Sequence, residues 1–571
     1  MTSRSYSLKY LKSSSFSAQD FPSILEKKTL RQILYREEAD DKDCVRKCRI
    51  IQKRHPKLRS FILRMFKADL TAISNYEDLE DIIMPRPREV STRWLSSMKQ
   101  ISGFELYLPD SRILDSNLKT LARTSIQHFK NLKSLTLFIE GGNVNDSLLI
   151  TFSFALRHLN SLESFAIDTT STNVTDLGIC TLASKCLHKF KKLKKLDLGL
   201  GGNPLTDKSV FSLVNNAFIY MNDMVDFQLC LWHSELTDKG LMELSNKVLS
   251  KWTTLKKLQL FFSGTHITDE GVNNLIIESL VHMRELRFLE LGLNYTNITN
   301  TSVINLSKKA LKNMSFMRTL SLNLSSNEIN GAAITALADH AFHKMKKLQD
   351  LKLSLGDIDI RDKDFSKLAT FGIPKCPELK MLVLDLMEDS TLSNAILRDL
   401  SEYVLDHSEK LEMFRIFLND NPRINDGGLI DFTRTGLYKL TKMKKIVLGI
   451  GNTRITDKGV RILCEEGLSQ MKELEECELD IWAIRITDDS IYALCDTLKG
   501  FRKLKKLKLY VNETHVTDDA VYELFETLSH IRAFNILIID VSASDVTIRE
   551  QDLPGLSEKY GFKIKYPPID E

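Results

Sequence analysis

The 571-residue chain is too long for one compact core of ordinary size, which leaves either several domains or an elongated repeat. Hydrophobic residues make up 43% and charged residues 27%, with 12 Pro and 24 Gly, a balance that excludes collagen-like and largely disordered chains. With 79 Lys+Arg against 75 Asp+Glu the net charge is +4, so the average charge demands neither a nucleic acid nor a membrane as partner.

At the N-terminus, Met1 to Gln19 holds Arg4, Lys9 and Lys12, many serines and no acid, which resembles a mitochondrial transit segment and keeps that compartment open. The next stretches read as three helices, over 23–35, 43–54 and 58–67, with Pro56 breaking the second. Residues 1–95 carry no repeat and are expected to form a helical cap or a docking region. Between Lys42 and Lys67 ten cations face one acid, Asp43. Within that run Arg46, Lys47, Arg49, Lys53 and Arg54 are the candidate basic docking residues. No aromatic interleaving accompanies them, so a protein partner ranks above nucleic acid. Cys44 and Cys48 lie four apart on one helical face without a companion ligand and read as packing, not metal or redox chemistry.

From Leu193 the chain settles into a period. Leu193, Leu196, Leu198 and Leu200 return as Leu255, Leu258, Leu260 and Phe262, and again as Leu379, Leu382, Leu384 and Leu386. An apolar anchor followed by alternation at every second residue is a short strand with one buried face. Degenerate copies from Ile101 to Phe534 bring the total to about fifteen, spaced by roughly 30 to 32 residues, the signature of a solenoid. After the strands come Leu236-Thr237-Asp238-Lys239-Gly240, Ile267-Thr268-Asp269-Glu270-Gly271 and Ile455-Thr456-Asp457-Lys458-Gly459. The Thr hydroxyl can accept from the free amides of a first helical turn, and the Asp sits at the positive dipole end, so each motif marks a helix start. Apolar residues then fall at helical spacing, as in Val210, Leu213 and Phe218. The predicted fold is α/β: a solenoid over 96–545 with a parallel sheet on one side and helices outside, closed by a C-terminal cap over 546–571.

These residues resemble the leucine-rich repeat family, specifically the long-repeat subtype typified by ribonuclease inhibitor. The resemblance covers roughly residues 97 to 545 and implies a curved horseshoe, its sheet on the concave side. It also implies a protein-binding role, since members of the family mostly bind proteins. Two further resemblances yield alternative functions. Cys44-Val-Arg-Lys-Cys48-Arg followed by His55-Pro-Lys-Leu58 resembles the end of an F-box, which implies the substrate receptor of a ubiquitin ligase. The Leu-Pro opening and Trp of that motif are absent here. The repeat array is also similar to the Ran-activating branch, which implies a GTPase activator, but the long acidic tail of that branch is missing.

No catalytic constellation is found, and the expectation is a protein that is not an enzyme and carries no cofactor and no metal. A Gly-rich loop followed by Lys-Ser/Thr does not occur. Gly199, Gly201 and Gly202, with Gly449 and Gly451, lie at equivalent strand exits and read as turns. His340 and His343 sit three apart beside Asp339 with no other ligand in view, and read as surface groups. Nine cysteines with no clustered framework suit a reducing, cytoplasmic setting. No stretch approaches the ~20 apolar residues of a spanning helix, so no membrane insertion is expected.

Two surfaces remain. Lys-rich turns such as Lys191-Lys192, Lys346-Lys347 and Lys444-Lys445 would stack into a basic ridge along one edge. On the sheet's outward positions most residues are polar or small, until Met381, Val383, Met413, Arg415, Phe417 and Val447 place an apolar patch with one cation on consecutive strands. Glu476, Glu478 and Asp480 rim it. An exposed apolar patch rimmed by charge marks a partner site, and these six residues are the candidate. The partner's identity stays open. A long uninterrupted array also suits a subunit of a larger complex, such as a ciliary or cytoskeletal assembly.

Overall fold

The computed structural model describes residues 60–64, 102–108, 119, 122–123, 126–139, 144–389 and 391–566. The helices expected over 23–35 and 43–54 fall outside the described residues, and Arg46, Lys47, Arg49, Lys53 and Arg54 with them. The chain divides into two compact units, 1–283 and 284–571. Each is an α/β solenoid in which parallel strands alternate with helices and consecutive strands are neighbours in the ladder.

In the first unit the strands are β1 Ser60–Arg64, β2 Gly103–Leu108, β3 Ser134–Ile139, β4 Ser164–Asp168, β5 Lys195–Gly199, β6 Asp226–Cys230 and β7 Lys257–Phe261. Each pairs with the next in strict register, so that Leu135, Phe165, Leu196, Phe227 and Leu258 form one row across the ladder. All five are 0% exposed. They face the helices, whose own apolar positions close over them: Val210, Leu213 and Phe218 from sequence are buried as expected. Burial of one such side chain contributes about 1.5–3 kcal/mol, and the period multiplies it. Residues 58–67, expected as a helix, instead contain β1, which runs parallel to β2 with Phe61 opposite Phe104. Leu58, Phe61, Leu63 and Met65 carry the same anchor-and-alternation spacing as the repeats. A short apolar run fits both periods, and here the ladder decides.

The second unit continues the pattern with β8 Phe288–Gly292, β9 Thr319–Asn323, β10 Asp350–Ser354, β11 Met381–Asp385, β12 Met413–Phe417, β13 Lys445–Gly449, β14 Glu476–Asp480, β15 Lys506–Tyr510, β16 Ile536–Asp540 and β17 Lys563–Lys565. Leu351, Leu382, Phe414, Ile446, Cys477, Leu507, Leu537 and Ile564 share one buried row. The C-terminal segment adds β17 after the helix Leu553–Tyr560 and seats Phe562 edge-on against Phe534, 5.0 Å between ring centres.

At the helix starts Thr206, Thr237, Thr268 and Thr456 cap as expected, accepting from the amide two residues on, whereas the Thr517 side chain makes no cap bond. Asn145, Ser393 and Asn425 cap in the same way where Thr is missing. The following Asp does more than answer the helix dipole. Asp426 accepts from the Thr456 amide at 2.8 Å, the Thr456 hydroxyl at 2.7 Å and the Gly459 amide at 3.1 Å, all in the next repeat. Asp207 grips Thr237 in the same way, at 2.9 and 2.6 Å. Each motif therefore clips its repeat to the one after it. The carboxylate also explains the glycine two residues after the Asp: a Cβ on Gly459 would stand 2.5 Å from Asp426 Oδ1. Where Ser occupies that position, as at Ser209, its hydroxyl donates to the carboxylate of Asp176 at 2.6 Å. Burial works against the charge on Asp176, but the donors Ser209 and Thr206 outweigh it and hold the carboxyl below its usual range.

The glycine clusters at the strand exits have a packing cause. A Cβ on Gly201 would overlap the Trp232 indole of the next repeat, and Gly451 stands in the same relation to Trp482. Beside them one residue per repeat turns left-handed, among them Ser171 and His233 in the first unit and Tyr295, Glu388 and Ala543 in the second.

Candidate functional site

A parallel sheet is usually covered on both faces, but here the strands alternate buried and half-open residues, leaving one face free of helices. On that open face the register aligns Met381, Met413, Lys445 and Glu476 in one row and Val383, Arg415, Val447 and Glu478 in the next. A third row at the strand exits runs Asp385, Phe417, Gly449 and Asp480. The ladder thus brings all six sequence-derived candidates onto neighbouring strands of one face.

Their exposure differs from the expectation. Met381, Val383, Met413, Arg415 and Phe417 are half-buried, and Val447 is 0% exposed. The cause lies two rungs apart. Arg415 Nη2 and Glu478 Oε2 approach to 4.0 Å from the strands on either side of Val447, so their side chains close over it. Lys508 holds the other oxygen of Glu478 at 3.6 Å, and the Arg415 guanidinium lies 5.8 Å from the Phe417 ring centre. Lys445, itself buried, pairs with Glu476 at 2.5 Å. The patch is therefore apolar at Met381, Val383, Met413 and Phe417, and an ionic network running from Arg415 of β12 to Lys508 of β15 borders it. Sequence alternation identified the face but not Lys445 and Lys508, whose signal is opposite charge at matching strand positions one rung apart.

At the exits, Gly449 leaves room for a second cross-ladder link. Asn419 Nδ2 donates to Asp480 Oδ2 at 2.6 Å, and Asn419 Oδ1 accepts from the Gly451 amide at 2.9 Å. The other Asp480 oxygen is buried without a hydrogen-bond partner. Burial, against the opposing Asn419 bond and with help from Glu478 and Asp420, pushes this carboxyl up to about 6. A raised acid is held more tightly by protons in the native state than in the unfolded one, near 3.9, so this group adds stability as pH falls from about 6 to about 4. Asp480→Asn is accordingly expected to raise the melting temperature at pH 7 and to gain less at pH 5. Equal gains at both pH values would contradict the assignment.

The Lys-rich turns do not form the uniform basic ridge that their sequence suggests. Lys444 pairs with Glu412 at 2.7 Å, Lys505 with Glu475 at 2.5 Å and Lys194 with Glu163 at 3.4 Å, each acid supplied by the preceding repeat. Lys346 instead donates to the carbonyl of Lys375 at 3.0 Å. Beside His340 and His343, the carboxylate of Asp339 is engaged by Lys367 at 2.7 Å. Among the described residues no group of three His, Cys, Asp or Glu could hold a metal ion. Six of the seven described cysteines are buried, and burial pushes the thiols of Cys376 and Cys477 up to about 12. No described helix is long and apolar enough to cross a membrane. The sequence matches no family model and no curated protein.

Proposed function

We propose that the chain is a non-catalytic leucine-rich repeat scaffold of the long-repeat subtype, and that it binds a protein partner on the open face of β11 to β13. Strand-helix units of roughly 31 residues with leucine rows against the helices support the subtype. The observation that carries the function is the half-open cluster of Met381, Val383, Met413 and Phe417 on two adjacent strands of a register-locked ladder. A surface already fixed by its own hydrogen bonds loses little freedom on association, so a few anchors suffice for recognition. Arg415 and Phe417 are of the residue classes that dominate interface energetics, and Val447 acts from beneath as their support.

Cross-linking mass spectrometry on the native protein, beside a Met413→Glu/Phe417→Glu variant, tests this. The expected result is one dominant partner linked through β11 to β13, with affinity reduced on the order of a hundredfold in the variant. Links that instead run from the Lys-rich turns to several neighbours, unchanged by the variant, would show an assembly subunit and overturn the proposal.

A further inference from the structure

We infer that one turn edge of the first unit docks peripherally on a bilayer carrying anionic headgroups, through Lys130, Arg157, Lys185, Lys189, Lys191 and Lys192. These cations lie on three successive turns, 126–133, 157–163 and 185–194, which hold eight Lys and Arg against one acid, Glu163. The turns are neighbours in space: the Glu163 amide donates to the Lys133 carbonyl and the Lys194 amide to the Glu163 carbonyl, each at 2.8 Å. The one acid is already engaged, since its carboxylate meets Lys133 at 3.3 Å and Lys194 at 3.4 Å. The other six cations are exposed, and among the described residues none of them pairs with a carboxylate. Elsewhere an acid of the preceding repeat answers such a lysine, as Glu412 does Lys444. The excess is local, since the whole chain carries only +4. His188 reports the field: burial first, then Lys189, Lys185 and Lys191, hold its imidazole below the usual range.

The negative end of a helix favours cations in its last turn, which accounts for Lys185, but Lys191 and Lys192 lie beyond it. Lysine supplies five of the six charges, and a hydrated ammonium on a flexible stem suits diffuse attraction to a charged surface. Protein interfaces are depleted in Lys, so an acidic protein is the poorer fit. Exposed apolar side chains border the charges: Phe154 is 44% exposed, Tyr220 48% and Val225 40%. Phe154 belongs to the helix Asp146–Leu156, which packs beside the helix Asp176–Lys185. Tyr220 ends the short turn Phe218–Tyr220, the counterpart of Leu187–Lys189 one repeat on. Aromatic rings beside lysines settle at the depth of the headgroups. A nucleic acid would use such rings for stacking, but the Arg157 guanidinium already lies over the Phe154 ring, 5.5 Å from its centre.

The test is co-sedimentation of the full chain with vesicles of phosphatidylcholine alone and with vesicles in which about one lipid in four is phosphatidylserine. The expected result is sedimentation with the anionic vesicles only, weakening as salt rises. Lys185→Gln/Lys189→Gln/Lys191→Gln/Lys192→Gln should lower the partition coefficient about a hundredfold, whereas Arg at the same four positions should keep it. Circular dichroism melts verify that each variant folds. Equal sedimentation with neutral vesicles, or binding unchanged in the Gln variant, would overturn the inference. Tighter binding of a single-stranded oligonucleotide through the same four lysines would overturn it as well. None of these substitutions touches the partner site on β11 to β13, so each of those outcomes leaves the proposed function standing.

Discussion

Replacing Asp426 by alanine is expected to destabilise the second unit by about 3 kcal/mol, because three bonds to a charged acceptor disappear at once and such bonds do not add fully. The Thr456 amide, the Thr456 hydroxyl and the Gly459 amide all lose their acceptor together. Asp426→Asn should lose much less. At another repeat an Asn already does this work, with Asn394 accepting from the Asn425 amide at 3.1 Å and donating to its side chain at 2.9 Å. The measurement is urea unfolding followed by the fluorescence of Trp482, the one Trp in residues 284–571. An alanine variant whose midpoint stays at the wild-type value would show that the clip is decorative and that leucine burial alone stacks the repeats.

A second large effect is expected at Gly201. Its φ is not in the left-handed range, so the need for glycine there is space alone, unlike the adjacent Gly202 at φ 69. Gly201→Val drives a side chain into the Trp232 indole, and overpacking of this kind costs about 1–3 kcal/mol. The cost should largely vanish in a Trp232→Ala background, so a double-mutant cycle would return a coupling energy comparable to the single-mutant loss. Independent, additive effects of the two changes would contradict the contact. Gly451 and Trp482 offer the same experiment in the second unit.

The contrast between what the residues announce and what the ladder adds follows from range. Anchor leucines such as Leu193 and Leu196 signal themselves within a few positions, because strand alternation is local. Thr456 and Asp457 likewise announce a helix start. What Asp426 does for Thr456 depends on stacking across thirty residues, and local spacing holds no trace of it. Val447 makes the same point at the candidate site. Alternation assigns it correctly to the open face, yet its exposure is decided by Arg415 and Glu478 on the two flanking strands. The left-handed turns were illegible for another reason. Ser171, His233, Tyr295, Glu388 and Ala543 share a conformation but no residue type, and Gly202, Gly264, Asp357, Asp420 and Asn452 hint at it in other repeats without forming a pattern. β1 escaped notice because more than forty residues, not thirty-one, separate it from β2.

The clip also has a direction. Asp426 is furnished by the earlier repeat and satisfies donors of the later one, so the earlier unit stands complete while the later one begins its helix with an unanswered amide and hydroxyl until its predecessor is in place. Growth of each array is therefore favoured from the N-terminal side, the order in which a ribosome delivers the chain. A nascent repeat would find its docking acceptor already built. The reverse order would leave each newly formed helix waiting on a neighbour that does not yet exist.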